Sequence, residues 1–120
     1  MKYIFIGLLS FICLIGDILF DRGNVKYFCN YFTEAIKDFD TAINLGDNNV
    51  TTYHYRGLAK ILLVLFKDAI LDFNKVFVLE PMNAEILFVR GKCKYELKQY
   101  ADALKDINIA LNLDHNNETL

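Results

Sequence analysis

All three arginines of this 120-residue chain, Arg22, Arg56 and Arg90, precede a glycine, and they are evenly spaced along it. A fixed period of about 34 residues marks an array of small supersecondary units, each too short to bury its own apolar face. Reading frames 16–49, 50–83 and 84–117 down their columns extends the match without a gap. A lysine column (Lys26, Lys60, Lys94) follows the arginines, and an aromatic column comes next (Phe32, Phe66, Tyr100). Then come alanine (Ala35, Ala69, Ala103), aspartate (Asp38, Asp72, Asp106) and leucine (Leu45, Leu79, Leu113). The frames close on the polar stretches GDNN, EPMN and DHNN.

Each frame divides into two helical halves. The second halves carry apolar residues at i, i+1, i+4, i+7, i+8 and i+10, one wide helical stripe rather than a strand alternation. Polar turns and Pro81 are expected to end them. Glycine inside a helix costs roughly 1 kcal/mol against alanine, so three at one phase call for close packing. Gly57 against Ala69, and their equivalents, would supply that contact within each hairpin.

Composition narrows the function. Hydrophobic residues make up 54% and charged residues 23%, enough for a packed array and unlike a disordered chain. The net charge of −2 leaves no basic footprint, so nucleic acid is not expected as a partner. Cys13, Cys29 and Cys93 form no C-x-x-C pair, so neither a disulfide framework, a zinc site nor any other metal centre is expected. His54 and His115 are the two histidines, and no H-E-x-x-H, P-loop, G-x-G-x-x-G or G-x-S-x-G pattern is present. A non-enzyme without cofactor is therefore the expectation.

Asp38, Asp72 and Asp106 follow Arg22, Arg56 and Arg90 at one constant separation. An antiparallel hairpin brings both columns to one seam. Only arginine offers a planar fork to a carboxylate, and in a lysine-rich chain its restriction to this column predicts a bidentate, partly buried pair. Each arginine is expected to bridge to an aspartate of its own unit or of the adjacent one.

The pattern resembles the tetratricopeptide repeat, a helix–turn–helix unit of this same period, over about 100 of the 120 residues. Frame 50–83 matches best, with Tyr53, Gly57, Ala69, Phe73 and Pro81 in the family's places; Lys60, Val76, Asp47 and His115 depart from it. The resemblance implies an all-α solenoid, a right-handed superhelix of six helices. Its first helices would line a concave groove that binds a protein or peptide. The groove residues would be Phe20, Asn24 and Tyr27, then His54, Leu58 and Ile61, then Phe88, Lys92 and Tyr95. Members that clamp a chaperone's carboxylate tail carry Lys, Asn and Arg in this groove. The corresponding places here hold Phe20, Leu58, Glu85 and Val89, so that clamp is not expected.

Two ends fall outside the pattern. Residues 1–15, MKYIFIGLLSFICLI, read as a hydrophobic leader or anchor ahead of Gly16, which implies an exported or membrane-associated protein. The alternative is a helix capping the first repeat of a cytoplasmic protein. At the other end no capping helix follows Leu113, and residues 118–120 form a short tail. Leu104, Ile109, Leu111 and Leu113 would be left partly exposed, so self-association into a structural homo-oligomer through this end is the second functional reading.

Overall fold

The computed structural model describes the backbone of residues 2–118 and the side chains of residues 6–113. Among them are six helices and no strands: α1 (Lys2–Phe28), α2 (Phe32–Asn44), α3 (Val50–Leu62), α4 (Phe66–Leu79), α5 (Ala84–Glu96) and α6 (Tyr100–Glu118). Consecutive helices pair as antiparallel hairpins, α1 with α2, α3 with α4 and α5 with α6, and each second helix also packs on the first helix of the next unit. The molecule is elongated, 54 × 32 × 22 Å.

Each hairpin turns through the same short device. Asn30, Val64 and Lys98, equivalent positions of the three units, all sit in the left-handed region at φ 68°, 63° and 63°. In the middle unit Leu65 N–H donates to Lys60 C=O at 2.8 Å and Val64 N–H to Ile61 C=O at 2.8 Å, the paired closure of a Schellman motif. Asparagine tolerates this conformation, but a β-branched residue is strained there by about 1–2 kcal/mol, because its Cβ crowds the following carbonyl. Val64 is mostly exposed and has no packing role that offsets this. Val64→Asn is expected to stabilise the protein by about 1 kcal/mol, raising the thermal midpoint by roughly 4 °C. An unchanged or lower midpoint in calorimetry would count against the account of this turn.

Between units the chain is capped by side chains. Asn49 Oδ1 accepts from Thr51 N–H at 3.0 Å to start α3, and Asn83 Oδ1 accepts from Ile86 N–H at 3.2 Å to start α5. Gly46, at φ 102°, closes α2, and Pro81 follows α4. The third polar stretch, expected as a turn at 114–117, is instead part of α6, which runs on to Glu118. Asp114 stands where the first unit has Gly46, and His115 where the second has Pro81, so neither helix stop is present. Thr119 and Leu120, within the expected tail, lie outside the described residues.

The glycine column fits closely, and the atom nearest each glycine belongs to a large side chain of the second helix. A Cβ on Gly57 would stand 2.8 Å from Phe73 Cζ, and one on Gly23 2.7 Å from Phe39 Cε1. At Gly91 the neighbours are Ile107 Cγ1 at 2.9 Å and the Ala103 carbonyl oxygen at 3.3 Å. The glycine's bare flank seats a large side chain that lies one helical turn beyond the alanine, along the same face. Phe39 and Phe73 are wholly buried, as are Ala35 and Ala69 beside them.

Helix α1 crosses the expected boundary at 15/16 without a break. Ile12 and Ile15 are half-buried, and Gly16 borders a small cavity of about 100 Å³ that is also lined by Leu45, Gly46 and Asp47. Ile6, Leu8, Leu9, Phe11 and Leu14 are half or more exposed on several sides of the helix. Residues 2–15 are thus continuous with the helix that carries the first arginine; residues 1–5 carry no described side chains. Among the described residues no helix is long and apolar enough to cross a membrane.

Candidate functional site

Two constellations emerge from the repeats: a charged seam and an apolar groove. The seam sits where α1, α3 and α5 meet their hairpin partners. Arg22 donates from Nε and Nη2 to both oxygens of Asp38, at 2.8 Å each. Arg56 makes the same fork to Asp72, and Arg90 to Asp106 at 2.8 Å and 2.8 Å. All six residues named from the sequence are brought together in pairs within their own units. The link to the adjacent unit also exists, through the third guanidinium nitrogen: Arg56 Nη1 donates to Asp40 at 2.8 Å and Arg90 Nη1 to Asn74 Oδ1 at 3.1 Å. The lysine column completes each site. Lys26, Lys60 and Lys94 place Nζ 3.1, 3.1 and 2.9 Å from the same aspartates. Sequence reasoning left this role unassigned although the column was in plain view; lysine lies one helical turn after each arginine and reaches the same carboxylate.

Two cations on one buried carboxylate favour its charged form. The Arg22 hydrogen bond holds Asp38 below the usual carboxylate range against the cost of burial, with help from Lys26. For Asp106 burial works in the opposite direction, but the Arg90 and Lys94 hydrogen bonds and charges together outweigh it and hold the group low. The unfolded chain titrates near the ordinary value of about 3.9. A depressed folded value therefore contributes stability that is complete at neutral pH and is lost as pH falls below about 4, through the folded values. The urea midpoint should stay level from pH 7 to pH 5 and fall steeply below about pH 4, and Asp38→Asn should flatten part of that fall. A midpoint that rose on acidification would contradict the seam's role.

The groove lies between α3 and α5. A cavity of about 410 Å³ is lined by Leu58 and Ile61 of α3, Phe66 at the start of α4, and Phe88, Val89, Lys92, Cys93 and Glu96 of α5. Four groove residues named from the sequence, Leu58, Ile61, Phe88 and Lys92, converge there. Lys92 Nζ stands 5.7 Å from the Phe88 ring centroid, within cation–π range at the rim. Phe66, Cys93 and Glu96 were missed. Glu96 follows Lys92 by one turn and faces the same space, a signal that helical spacing alone carried.

The first unit contributes less. Phe20 packs on Phe39 at 6.2 Å between centroids, and Tyr27 packs edge-on to Phe32 at 5.7 Å and Tyr55 at 5.3 Å. These aromatics serve the hairpin and the unit-to-unit contact. Asn24 Oδ1 and His54 Nε2 are buried without a hydrogen-bond partner among the described residues. His54 stacks on Tyr55 at 5.6 Å, and its Nε2 is 4.0 Å from Glu85. Tyr95, more than half exposed, meets Tyr100 edge-on at 5.8 Å and is not among the residues lining this cavity.

The groove is lined mainly by apolar groups, with Lys92 and Glu96 as its charged residues. Burial pushes the Cys93 thiol up to about 11, so at neutral pH it is a protonated apolar group rather than a nucleophile. Among the described residues no cluster of His, Cys, Asp and Glu is arranged to hold a metal ion.

No family model matches the sequence, and no curated protein does either. Solved structures do. The Arabidopsis OM64 tetratricopeptide-repeat domain is 27% identical, with 90% of this chain and 89% of that one covered and a TM-score of 0.78. The second such domain of Spaghetti (RPAP3), bound to the HSP90 peptide SRMEEVD, is 18% identical over 94% of this chain and 98% of that one, TM-score 0.79. PcrH in complex with the chaperone-binding region of PopB is 17% identical over 82% and 79%, TM-score 0.74.

Proposed function

From an array of three tetratricopeptide-repeat units, we propose a non-catalytic docking module that holds a partner protein by an extended segment, with an apolar side chain seated between α3 and α5. The observation that carries this reading is the 410 Å³ cavity, which is walled by aliphatic and aromatic groups and edged by one cation and one anion, Lys92 and Glu96. Cavities of this size with few placed polar groups are where small apolar anchors bind. A large side chain buried there supplies most of an interface's affinity, while the rim charges set orientation. Solved structures of the same fold hold peptides: an HSP90 peptide on Spaghetti and a PopB region on PcrH. The ligand class here is different from an acidic tail. Leu58, Glu85 and Val89 offer no cation where a terminal carboxylate would need one.

A random-peptide display selection against the full chain tests the reading. It should enrich segments centred on a leucine- or aromatic-sized residue. Ile61→Glu should weaken the selected peptide at least tenfold, the effect expected of a charge at an apolar anchor site, without loss of the folded helical signal. The peptide SRMEEVD should not bind. Enrichment of acidic C-terminal peptides, or binding indifferent to Ile61→Glu, would refute it.

A further inference from the structure

The inter-unit rung of the seam repeats with a rule: the arginine's Nη1 reaches back to the residue 16 positions earlier, Asp40 for Arg56 and Asn74 for Arg90. Among the described residues the rung is incomplete at two places. For Arg22 the residue in that place is Ile6, which cannot accept, and among the described residues Arg22 Nη1 has no partner. Its side chain is 59% exposed, against 17% for Arg56 and 11% for Arg90. The acceptor column continues from Asp40 and Asn74 to Asn108, which is exposed and makes no side-chain hydrogen bond among the described residues.

Apolar packing is open at the same two places. Thr52 and Ile86, buried to 0% against the preceding unit, have Ile18 as their equivalent, and Ile18 is 55% exposed. Val25 is likewise exposed where Ala59 and Cys93 are buried. On α6 the exposed Leu104 and Leu111 stand where Ile70 packs on the cluster that includes Ile86 and Cys93 of α5, and where the Phe77 ring lies 4.6 Å from the Arg90 guanidinium. A cavity of about 470 Å³ opens on this last face, bounded by Ala84, Phe88 and the carboxylate-bearing Glu85 of α5 and by Ile107, Ala110 and Leu111 of α6. One unit earlier, the equivalents of Ile107 and Ala110 are Phe73 and Val76, and these form one buried cluster with Ile86. The side chain missing from the open cavity is thus the one that Ile18 supplies in register.

We propose that a second copy of this chain seats its α1 on the α5–α6 face of the first, head to tail. Ile18 of the second copy enters the cavity beside Ile107, and Asn108 accepts from Arg22 Nη1 of the second copy. The contact reproduces the α4–α5 junction with the chain's own residues. It joins two different surfaces and so does not close at two copies; assembly continues as an open row. This goes beyond peptide docking and does not depend on it, since neither Ile18 nor Leu111 lines the groove between α3 and α5.

Sedimentation velocity on the full chain tests it. The mass of the unaltered protein should climb with concentration past the dimer. Leu111→Glu blocks one end and Ile18→Glu the other; both positions are more than half exposed, so the fold is retained. Each variant alone should stay monomeric, and their equimolar mixture should stop at a dimer, because one intact end of each kind remains. Asn108→Arg, which sets a cation opposite Arg22, should weaken association about fivefold, near the upper range for exposed charge pairs. A strict monomer at all concentrations, growth unaffected by either blocking variant, or a mixture that stays monomeric would each overturn the proposal.

Discussion

Asp72→Asn should destabilise the protein by about 3–5 kcal/mol, the cost typical of removing one partner from a buried ion pair. The side chain of Asp72 is 3% exposed and receives Arg56 through both oxygens and Lys60 at 3.1 Å. Asparagine keeps the shape, but it neutralises the one carboxylate that Arg56 and Lys60 share and turns a donor toward one of them. Asp40 reaches Arg56 from the preceding unit and offsets part of the loss, but it does not touch Lys60. With total stabilities of about 5–15 kcal/mol typical of domains, the variant is expected to lie near the unfolding threshold. Urea denaturation followed by circular dichroism measures the change. Asp68→Asn, at an exposed position on the same helix, serves as the control and should alter the midpoint little. Equal midpoints for the two variants would remove the seam from the account of stability.

The second large effect is at Phe73. The ring is wholly buried, lies against Gly57, and belongs to the cluster with Ala69, Val76, Ile86 and Cys93. Truncation to alanine removes those contacts and leaves a cavity, expected to cost about 3–5 kcal/mol. Gly57 and Phe73 should also be coupled with a change of sign. In the unaltered protein Gly57→Ala forces its Cβ to within 2.8 Å of the ring, an overpacking of about 1–3 kcal/mol that exceeds the gain of up to about 1 kcal/mol in helix propensity. In the Phe73→Ala background the ring is gone, and only the propensity gain remains. Gly57→Ala should therefore destabilise one background and stabilise the other, a result a double-mutant cycle reads directly. The same sign in both would mean that the glycine column is not set by ring packing.

Much of this arrangement was legible in the residues because the period repeats the seam along with the fold. The arginine and aspartate columns, at one constant separation, pointed to the hairpin seam from the sequence alone. The inter-unit half of the seam was harder to read, since its acceptor changes from Asp40 to Asn74 and no single residue type marks the column. The left-handed turn residues, Asn30, Val64 and Lys98, share a conformation imposed by the helices on either side, so their chemistry carried no signal. Local propensity misled at the last polar stretch, where DHNN looks like its sister turns but lacks their glycine and proline stops, and the helix continues. The groove was half legible: helical phase placed Leu58, Ile61, Phe88 and Lys92 on one side, while which aromatics would be drawn into packing, as Phe20 and Tyr27 are, depends on neighbouring units.

The most direct test of the central functional claim is a backbone amide chemical-shift map of the full chain titrated with the peptide enriched by display selection. Docking between the first helices predicts that saturable shifts concentrate on Leu58, Ile61, Val89 and Lys92, with the outer faces of α4 and α6 left unchanged. Saturable shifts confined to α4 or α6, or a selection that yields no binder to the α3–α5 groove, would contradict it.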